Sequence, residues 1–484
     1  MLGESGIPSS LLHALPPAAR IDCEGGKVKK AQTTAGSAGN FPPGTGSQWD
    51  GTLGVTRQPA FPGGRSWRRQ LRGAVAVGRL VRRLGAADED VHTATALAEL
   101  LGRLRGPVTK FGQILATLPI DLPEELAEAL AALHAHAPPM GRLFVARRMR
   151  HALGADWRRH FAQFEETPLF AASFGQLHRA RLEDGRMVAV KLQYPDMESV
   201  LAADLRNLRL VAPILRRITG IDPTAVIAEM ADRFAEELDY EKEAANMEDW
   251  RRVLACHLPA ERLATPRPIA ALTRRRVLVM TWVEGTHLIP VAPRLPQRLR
   301  DRIAADLLRA WYVPFFAAGL LHGDPHPGNI LWQEQGAGGG RLGLVDFGCL
   351  RRYERREVAA VRALERAVRL QDRELLKAAL AGIGFPELDA RRMEALRPWL
   401  EWLFAPFAEP GMRPFLPADR LAAAETRLAQ LRQRLKAAGG IRLPRAFLLL
   451  HRSAVVLGSV ITRLDARGDW QALWEDITRT PWSG

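Results

Sequence analysis

Along the first 65 residues the apolar positions keep no period, and Gly, Pro, Ser and Thr dominate. That pattern predicts a disordered tail, or upstream sequence from a misplaced start. From about Ser66 to Phe164 apolar residues return at helical intervals. Residues 94–104 are Ala/Leu-rich, Pro107 can open a helix, and Pro123-Glu124-Glu125 opens another. Strand-like runs begin at Leu169 and continue to Lys191. Residues 171–182 and Met187-Val188-Ala189-Val190-Lys191 predict two strands joined by Glu183-Asp184-Gly185-Arg186, a turn in which Asp-Gly supplies positive φ. Two long helices are expected at 196–218 and 223–253, then short strands at 269–272 and 277–281. Trp282-Val283-Glu284-Gly285 links two lobes, and residues 294–318 form a helix leading to Asp324. An apolar run at 310–321 is interrupted by Pro314. From Tyr353 onward the chain reads as almost wholly helical, with breaks near Gly384-Phe385-Pro386, residues 410–417 and Gly439-Gly440. The expected class is α+β. A helical extension (66–165) precedes a small mixed-sheet lobe (166–285) and a larger, mostly helical lobe (286–484).

The bulk properties narrow this picture little. An apolar content of 47% and a charged content of 25% in 484 residues are those of an ordinary globular protein with a large core. Cys23, Cys256 and Cys349 are far apart and show no metal-ligand spacing, which points to a reducing compartment. No uncharged apolar run reaches the ~18 residues that span a bilayer, and residues 1–20 lack the basic start and compact apolar centre expected of a signal peptide. The expected location is cytoplasmic, or peripheral on the inner face of a membrane, with no transmembrane helix. The net charge of +15 is carried mainly by arginine. Aromatic residues, at 7%, do not interleave with the basic clusters, so nucleic acid is not expected. The basic run at residues 68–83 is compatible with a helix on acidic headgroups, and equally with a solvated face on its own domain.

The chemistry is concentrated in Leu321-His322-Gly323-Asp324-Pro325-His326-Pro327-Gly328-Asn329, followed by Asp346-Phe347-Gly348. Asp324 can accept a proton from a hydroxyl or position a water, the Asn329 carbonyl can ligate Mg²⁺, and Asp346 can bridge metal to phosphates. Alone, an Asp-Phe-Gly or a Gly-Asp-Pro reads as a turn. An upstream lysine ending a β-branched run, Lys191, makes the combination specific, because its ammonium can reach the α/β-phosphates. The acidic run Glu236-Glu237-Leu238-Asp239-Tyr240-Glu241-Lys242-Glu243 is by default a solvated helical face, on which Asp239 and Glu243 coincide. Its place downstream of Lys191 is also where a kinase carries the glutamate that pairs with that lysine. A phosphate-covering G-x-G-x-x-G loop is replaced by Phe170-Ala171-Ala172-Ser173-Phe174-Gly175, and the added Cβ atoms stiffen it. Lys110-Phe111-Gly112-Gln113 places Lys110 and Gln113 on one helical face. Cys349, just after the Asp-Phe-Gly turn, reads as a small core residue or a reactive thiol.

Taken with Val188-Ala189-Val190-Lys191, Glu237-Leu238-Asp239 and Glu243-Ala244-Ala245-Asn246, these motifs resemble the UbiB family of atypical kinases, also called AarF-domain proteins, over about residues 105–353. The resemblance implies a bilobal protein-kinase-like fold and a Mg-ATP or Mg-ADP site. Lys191 would bind phosphates and pair with Glu243, Asp324 would be the catalytic carboxylate, and Asn329 and Asp346 would be metal ligands. Ala171, Ala172, Ser173, Met280 and Val283 would contact the nucleotide. Lys110 and Gln113 would fold over the site toward Glu237 and Asp239, occluding a protein substrate. The implied activity is ATP hydrolysis or small-molecule phosphorylation in support of ubiquinone biosynthesis, with lipid or quinone-pathway proteins as partners. Two departures qualify it: Phe170 stands where many members have alanine, and residues 441–463 carry Arg442, Arg445, His451 and Arg452 where quinone-devoted members often have membrane helices. A non-catalytic ATP-binding scaffold and a true protein kinase are the competing readings.

Overall fold

A computed structural model describes residues 140–171, 174–203, 205, 206, 209, 224–335, 339–417, 424–439, 441 and 443–483. The tail at 1–65, the basic run at 68–83, Lys110, Gln113, Ala172 and Ser173 lie outside these residues.

Helix α1 (Arg142–Leu153) leads through a 3-10 turn to strands β1 (Phe161–Phe164), β2 (Phe170–Ala171), β3 (Gly175–Leu182) and β4 (Met187–Gln193). Helices α2 (Thr224–Glu237) and α3 (Tyr240–Ala255) follow, then β5 (Leu263–Ala264) and β6 (Val277–Thr281). The upper sheet runs β1-β3-β4-β6, with β2 folded back on β3. Side chains on a strand alternate between faces, so β4 sorts itself. Val188, Val190 and Leu192, with Val277 and Val279 of β6, pack against Val145 and Met149 of α1. Ala189 and Lys191 therefore face the other side, toward α3, with Leu278 and Met280 of β6. Gln193 joins the layers: its carbonyl accepts from Arg148 Nε of α1 (3.0 Å), and its side-chain amide donates to Leu238 O (2.8 Å). Gln176 pins the chain entering α1 by pairing both ways with the Met140 backbone (2.8 and 3.1 Å).

Four expectations are corrected here. The helical reading up to Phe164 missed β1, whose Phe161 and Phe164 pack edge-on against Trp157. The run at 171–182 is not one strand, because Ala171 pairs antiparallel with Gln176, so the chain reverses between them. Residues 270–272 form a 3-10 turn rather than a strand. Pro268, bridged to Met280, has no N–H to continue a ladder. The helix expected at 223–253 is two helices broken at Leu238-Asp239, where Asp239 turns extended and caps α3 by accepting from Lys242 N (3.2 Å).

The lower lobe contains β7 (Thr286–His287), α4 (Gln297–Ala318), β8 (Leu320–His322), β9 (Ile330–Gln335), β10 (Gly339–Leu344) and β11 (Leu350–Arg352). It continues with α5 (Arg355–Leu370), α6 (Arg373–Gly382), α7 (Ala390–Phe404), β12 (Met412–Pro414), α8 (Ala424–Ala437), α9 (Arg445–Arg463), β13 (Arg467–Asp469) and α10 (Trp470–Thr478). α4 is the central pillar: Trp311, Phe315 and Phe316 are fully buried, and the helix continues through Pro314, in keeping with the helix expected at 294–318. It stops at Gly319, whose φ of +67° suits glycine and where a Cβ would meet Tyr353 O at 2.2 Å. The hairpin β9–β10 and the β8–β11 pair were not visible as strands in the sequence. Together the lobes form a bilobal, kinase-like α+β fold. Among the described residues one helix, α9, is long and apolar enough to cross a membrane, yet its Phe447, Leu448, Leu449, Leu457, Val460 and Ile461 are buried in this lobe.

Candidate nucleotide site

The face-sorting of β4 delivers Lys191 to α3. On that helix Tyr240, Glu243, Met247, Trp250 and Leu254 recur at three- and four-residue steps and are all buried. Lys191 Nζ donates to both carboxylate oxygens of Glu243 at 2.9 Å and lies 3.8 Å from Asp346 Oδ1. The ammonium also sits 5.0 Å from the centre of the Tyr240 ring. Burial alone would lower its pKa, but Glu243 and then Asp346 hold it well above the ordinary lysine range. Burial pushes the Glu243 carboxyl up, against the pull of Lys191. Gly175 is required where β3 passes this cluster, since a Cβ there would lie 2.3 Å from Leu192 O and 2.9 Å from the Tyr240 hydroxyl.

On the lower side the β9–β10 hairpin explains how residues 17 apart in sequence meet. Ile330 pairs with Leu344, and Val345 N donates to Asn329 O (3.3 Å), so Asn329 and Asp346 emerge at the same end. Asn329 Nδ2 approaches Asp324 O at 3.5 Å. His322 ties the two motifs. Its Nε2 donates to Asp346 O (2.5 Å) and its Nδ1 accepts from Asp324 N (3.3 Å). That pattern fits a neutral imidazole, and burial does lower the His322 pKa. Phe347 is fully buried, edge-on to Trp250 of α3 (5.1 Å) and to His322 (5.4 Å), so the aromatic of the Asp-Phe-Gly turn plugs the gap between the lobes. Asp346 is left with 40% of its side chain exposed, facing a ligand's reach rather than the core.

Thus Lys191, Glu243 and Asp346 converge, and Asp324 and Asn329 join them through backbone contacts. Glu237 sits behind the turn, accepting from the Cys349 thiol at Oε1 (3.0 Å), near Gly348. Asp239 caps a helix rather than sharing a helical face with Glu243. Met280 is buried on the Lys191 side of the sheet, and Val283 packs near Gly343 in the link. Ala171 is half-buried in β2, next to an exposed Phe170. Sequence reasoning quoted His322 within its motif without giving it a role, and gave none to Tyr240 or Trp250, whose signal was only helical periodicity. It named Arg452 of α9 only as a departure from the family pattern and missed its partner: Nη2 donates to Asp324 Oδ1 at 2.8 Å. A lone charge inside an otherwise apolar helix was its signal.

The ABC1 atypical kinase-like domain matches residues 132–380 of this chain. AarF domain-containing protein kinase 1 of Gallus gallus is 33% identical over 243 residues, which are 50% of this chain and 46% of that protein. "Probable protein kinase UbiB" of Pseudomonas paraeruginosa is 32% identical over 270 residues, 54% of this chain and 49% of that protein. The chain therefore spans about half the length of these two relatives. Uncharacterized protein slr0889 of Synechocystis is 30% identical over 286 residues and is 69% covered. Rv3197 of Mycobacterium tuberculosis, solved in complex with erythromycin, superposes with a TM-score of 0.51 at 26% identity over 85% of this chain and 99% of that one. Because that match takes in half of the chain, including the lysine strand, Asp324, Asn329 and Asp346, this chain belongs to the ABC1 atypical kinase-like family.

Proposed function

We propose that the chain is a Mg-ATP-dependent atypical kinase or ATPase that works on or near a membrane lipid in an isoprenoid quinone pathway. The observation that carries this reading is the convergence of the Lys191–Glu243 pair on Asp346 at 3.8 Å, with Asn329 emerging beside Asp346. Mg²⁺ takes one or two carboxylates, with water and phosphate oxygens completing its shell, rather than an all-protein cage. Among the described residues no cluster of three or more His, Cys, Asp or Glu side chains forms such a cage. Asp346 and the Asn329 carbonyl fit the lighter requirement. When bound, Mg·ATP would supply a γ-phosphoryl group whose transfer breaks the bond to the β,γ-bridging oxygen and leaves that electron pair on ADP.

The chain's own residues then have separable tasks. Lys191, kept protonated by its carboxylate neighbours, neutralises α/β-phosphate charge, and Glu243 fixes where the ammonium points. Asp324 accepts the proton of the attacking hydroxyl or water. Asn329 and Asp346 hold the metal. Ala171, Met280 and Val283 line the nucleotide's path, and Glu237 supports the Asp-Phe-Gly turn from behind. The relatives named for UbiB support the quinone pathway, with ubiquinone the first candidate. Peripheral membrane contact through the basic segment at 68–83 belongs to the same proposal.

Replacing Asp346 by Asn tests it. The expected result is loss of Mg-dependent ATP hydrolysis by about 10³-fold with an unchanged thermal midpoint. Hydrolysis at the wild-type rate would remove the metal role. For the pathway, quinone profiles of a deletion strain and of one carrying Asp324→Asn should shift alike, and normal quinones in both would discard it.

A further inference from the structure

We propose that Arg452 is a positioning residue for Asp324, so that helix α9 completes the catalytic loop from 128 residues away. The inference rests on the phosphotransfer reading above. Arg452 and Asp324 make an ion pair at 2.8 Å with side chains 9% and 15% exposed. Holding two charges this far from water is a poor route to stability, since desolvation cancels much of the attraction. The neighbouring residue makes a second contact to the same loop: Ser453 Oγ donates to His322 O (3.1 Å), which also accepts from Trp311 Nε1 (3.0 Å). His322 in turn donates to Asp346 O. One turn of α9 therefore touches the Asp324 carboxylate and the backbone of His322, the residue whose side chain ties the two acidic motifs.

The geometry assigns a specific task. A carboxylate that accepts a proton needs one oxygen open and its plane fixed. Arg452 Nη2 takes Oδ1, which leaves Oδ2 for the attacking hydroxyl and stops the group from rotating away. The planar guanidinium carries donors only, so it does this without competing for the proton. The task also accounts for an arginine in the middle of a helix whose neighbours Leu449, Leu457 and Val460 are buried hydrophobics.

Steady-state ATP turnover by wild type, Arg452→Gln, Arg452→Lys, Asp324→Asn and the Asp324→Asn/Arg452→Gln double variant tests the assignment. Arg452→Gln should lower kcat about 10²-fold with the KM for Mg·ATP within about twofold. Lysine should restore part of the loss, because it keeps the charge and loses the fork. Adding Arg452→Gln to Asp324→Asn should cost less than about twofold more, since the residue acts only through that carboxylate. Should Arg452→Gln fail to fold, Arg452→Lys alone must still lower kcat and spare KM. Wild-type kcat in Arg452→Gln beside an inactive Asp324→Asn, or a further large loss in the double variant, would overturn the positioning role alone. Wild-type turnover in Asp324→Asn would overturn the phosphotransfer reading, and this inference with it.

Discussion

Lys191 and Asp324 belong to different lobes, and each meets an opposite charge, but the partners are recruited in different ways. Lys191 finds Glu243 52 residues on, across one sheet and one helix, and both carboxylate oxygens engage it. Asp324 finds Arg452 128 residues on, from a helix that packs against α4, through one oxygen. The upper carboxylate is the deeper one, with the Glu243 side chain 1% exposed against 15% for Asp324. The upper cation is the more open, Lys191 at 19% against 9% for Arg452. The upper wall is thus assembled early in the chain and protected by burial. The lower wall waits for α9, late in the chain, and stays open enough to work on a substrate. Removing a partner should cost stability above and turnover below.

The largest effect should come from Lys191→Met, which strands a buried carboxylate and should destabilise the fold by about 3–5 kcal/mol. The double variant Lys191→Met/Glu243→Leu should recover most of that in urea denaturation; no recovery would mean that the pair is not the source of the loss. Gly175→Ala comes next. Its Cβ would press on Leu192 O and the Tyr240 hydroxyl, both at the Lys191 wall, and should cost about 2–3 kcal/mol. An unchanged midpoint would show that β3 can move away.

The smallest effect is a pH dependence that begins in the lower lobe. His451 of α9 is buried against Trp399 and Phe447, neither ring nitrogen has a partner among the described residues, and burial pushes its pKa down to about 4. Burial also lowers His322 and His178. The unfolded chain binds these protons near the ordinary imidazole value of 6.5, whereas the folded chain refuses them. Stability is therefore full above that value and falls as pH drops toward about 4, where His451 itself titrates. His451 should account for roughly 2 kcal/mol of loss between pH 7 and 5. His451→Phe should flatten the acid limb by that amount, and an unaltered limb would assign it elsewhere.

What the sequence revealed follows the same division. The lysine strand was legible because β4 alternates Val188, Val190 and Leu192 with Ala189 and Lys191, and Asp-Gly marks its turn. Asp324, Asn329 and Asp346 were legible as residue types at a spacing that metal–phosphate chemistry demands. The break at Leu238-Asp239 was not, because both flanks are good helix formers and only the Asp239 cap separates them. Nor was β1, four residues with two aromatics after a helical stretch. Arg452 could be seen as an odd charge, but nothing local names a partner 128 residues away. Long-range pairing is set by how α4 and α9 pack, which no single window contains.

Calorimetric titration of Mg·ATP into wild type and into Asp346→Asn, each with and without Mg²⁺, addresses the shared cleft directly. A single cleft formed by both lobes predicts that wild type gains at least about tenfold in affinity when Mg²⁺ is present and that Asp346→Asn loses this gain while keeping its metal-free binding. Equal Mg²⁺ enhancement in the two proteins would contradict it.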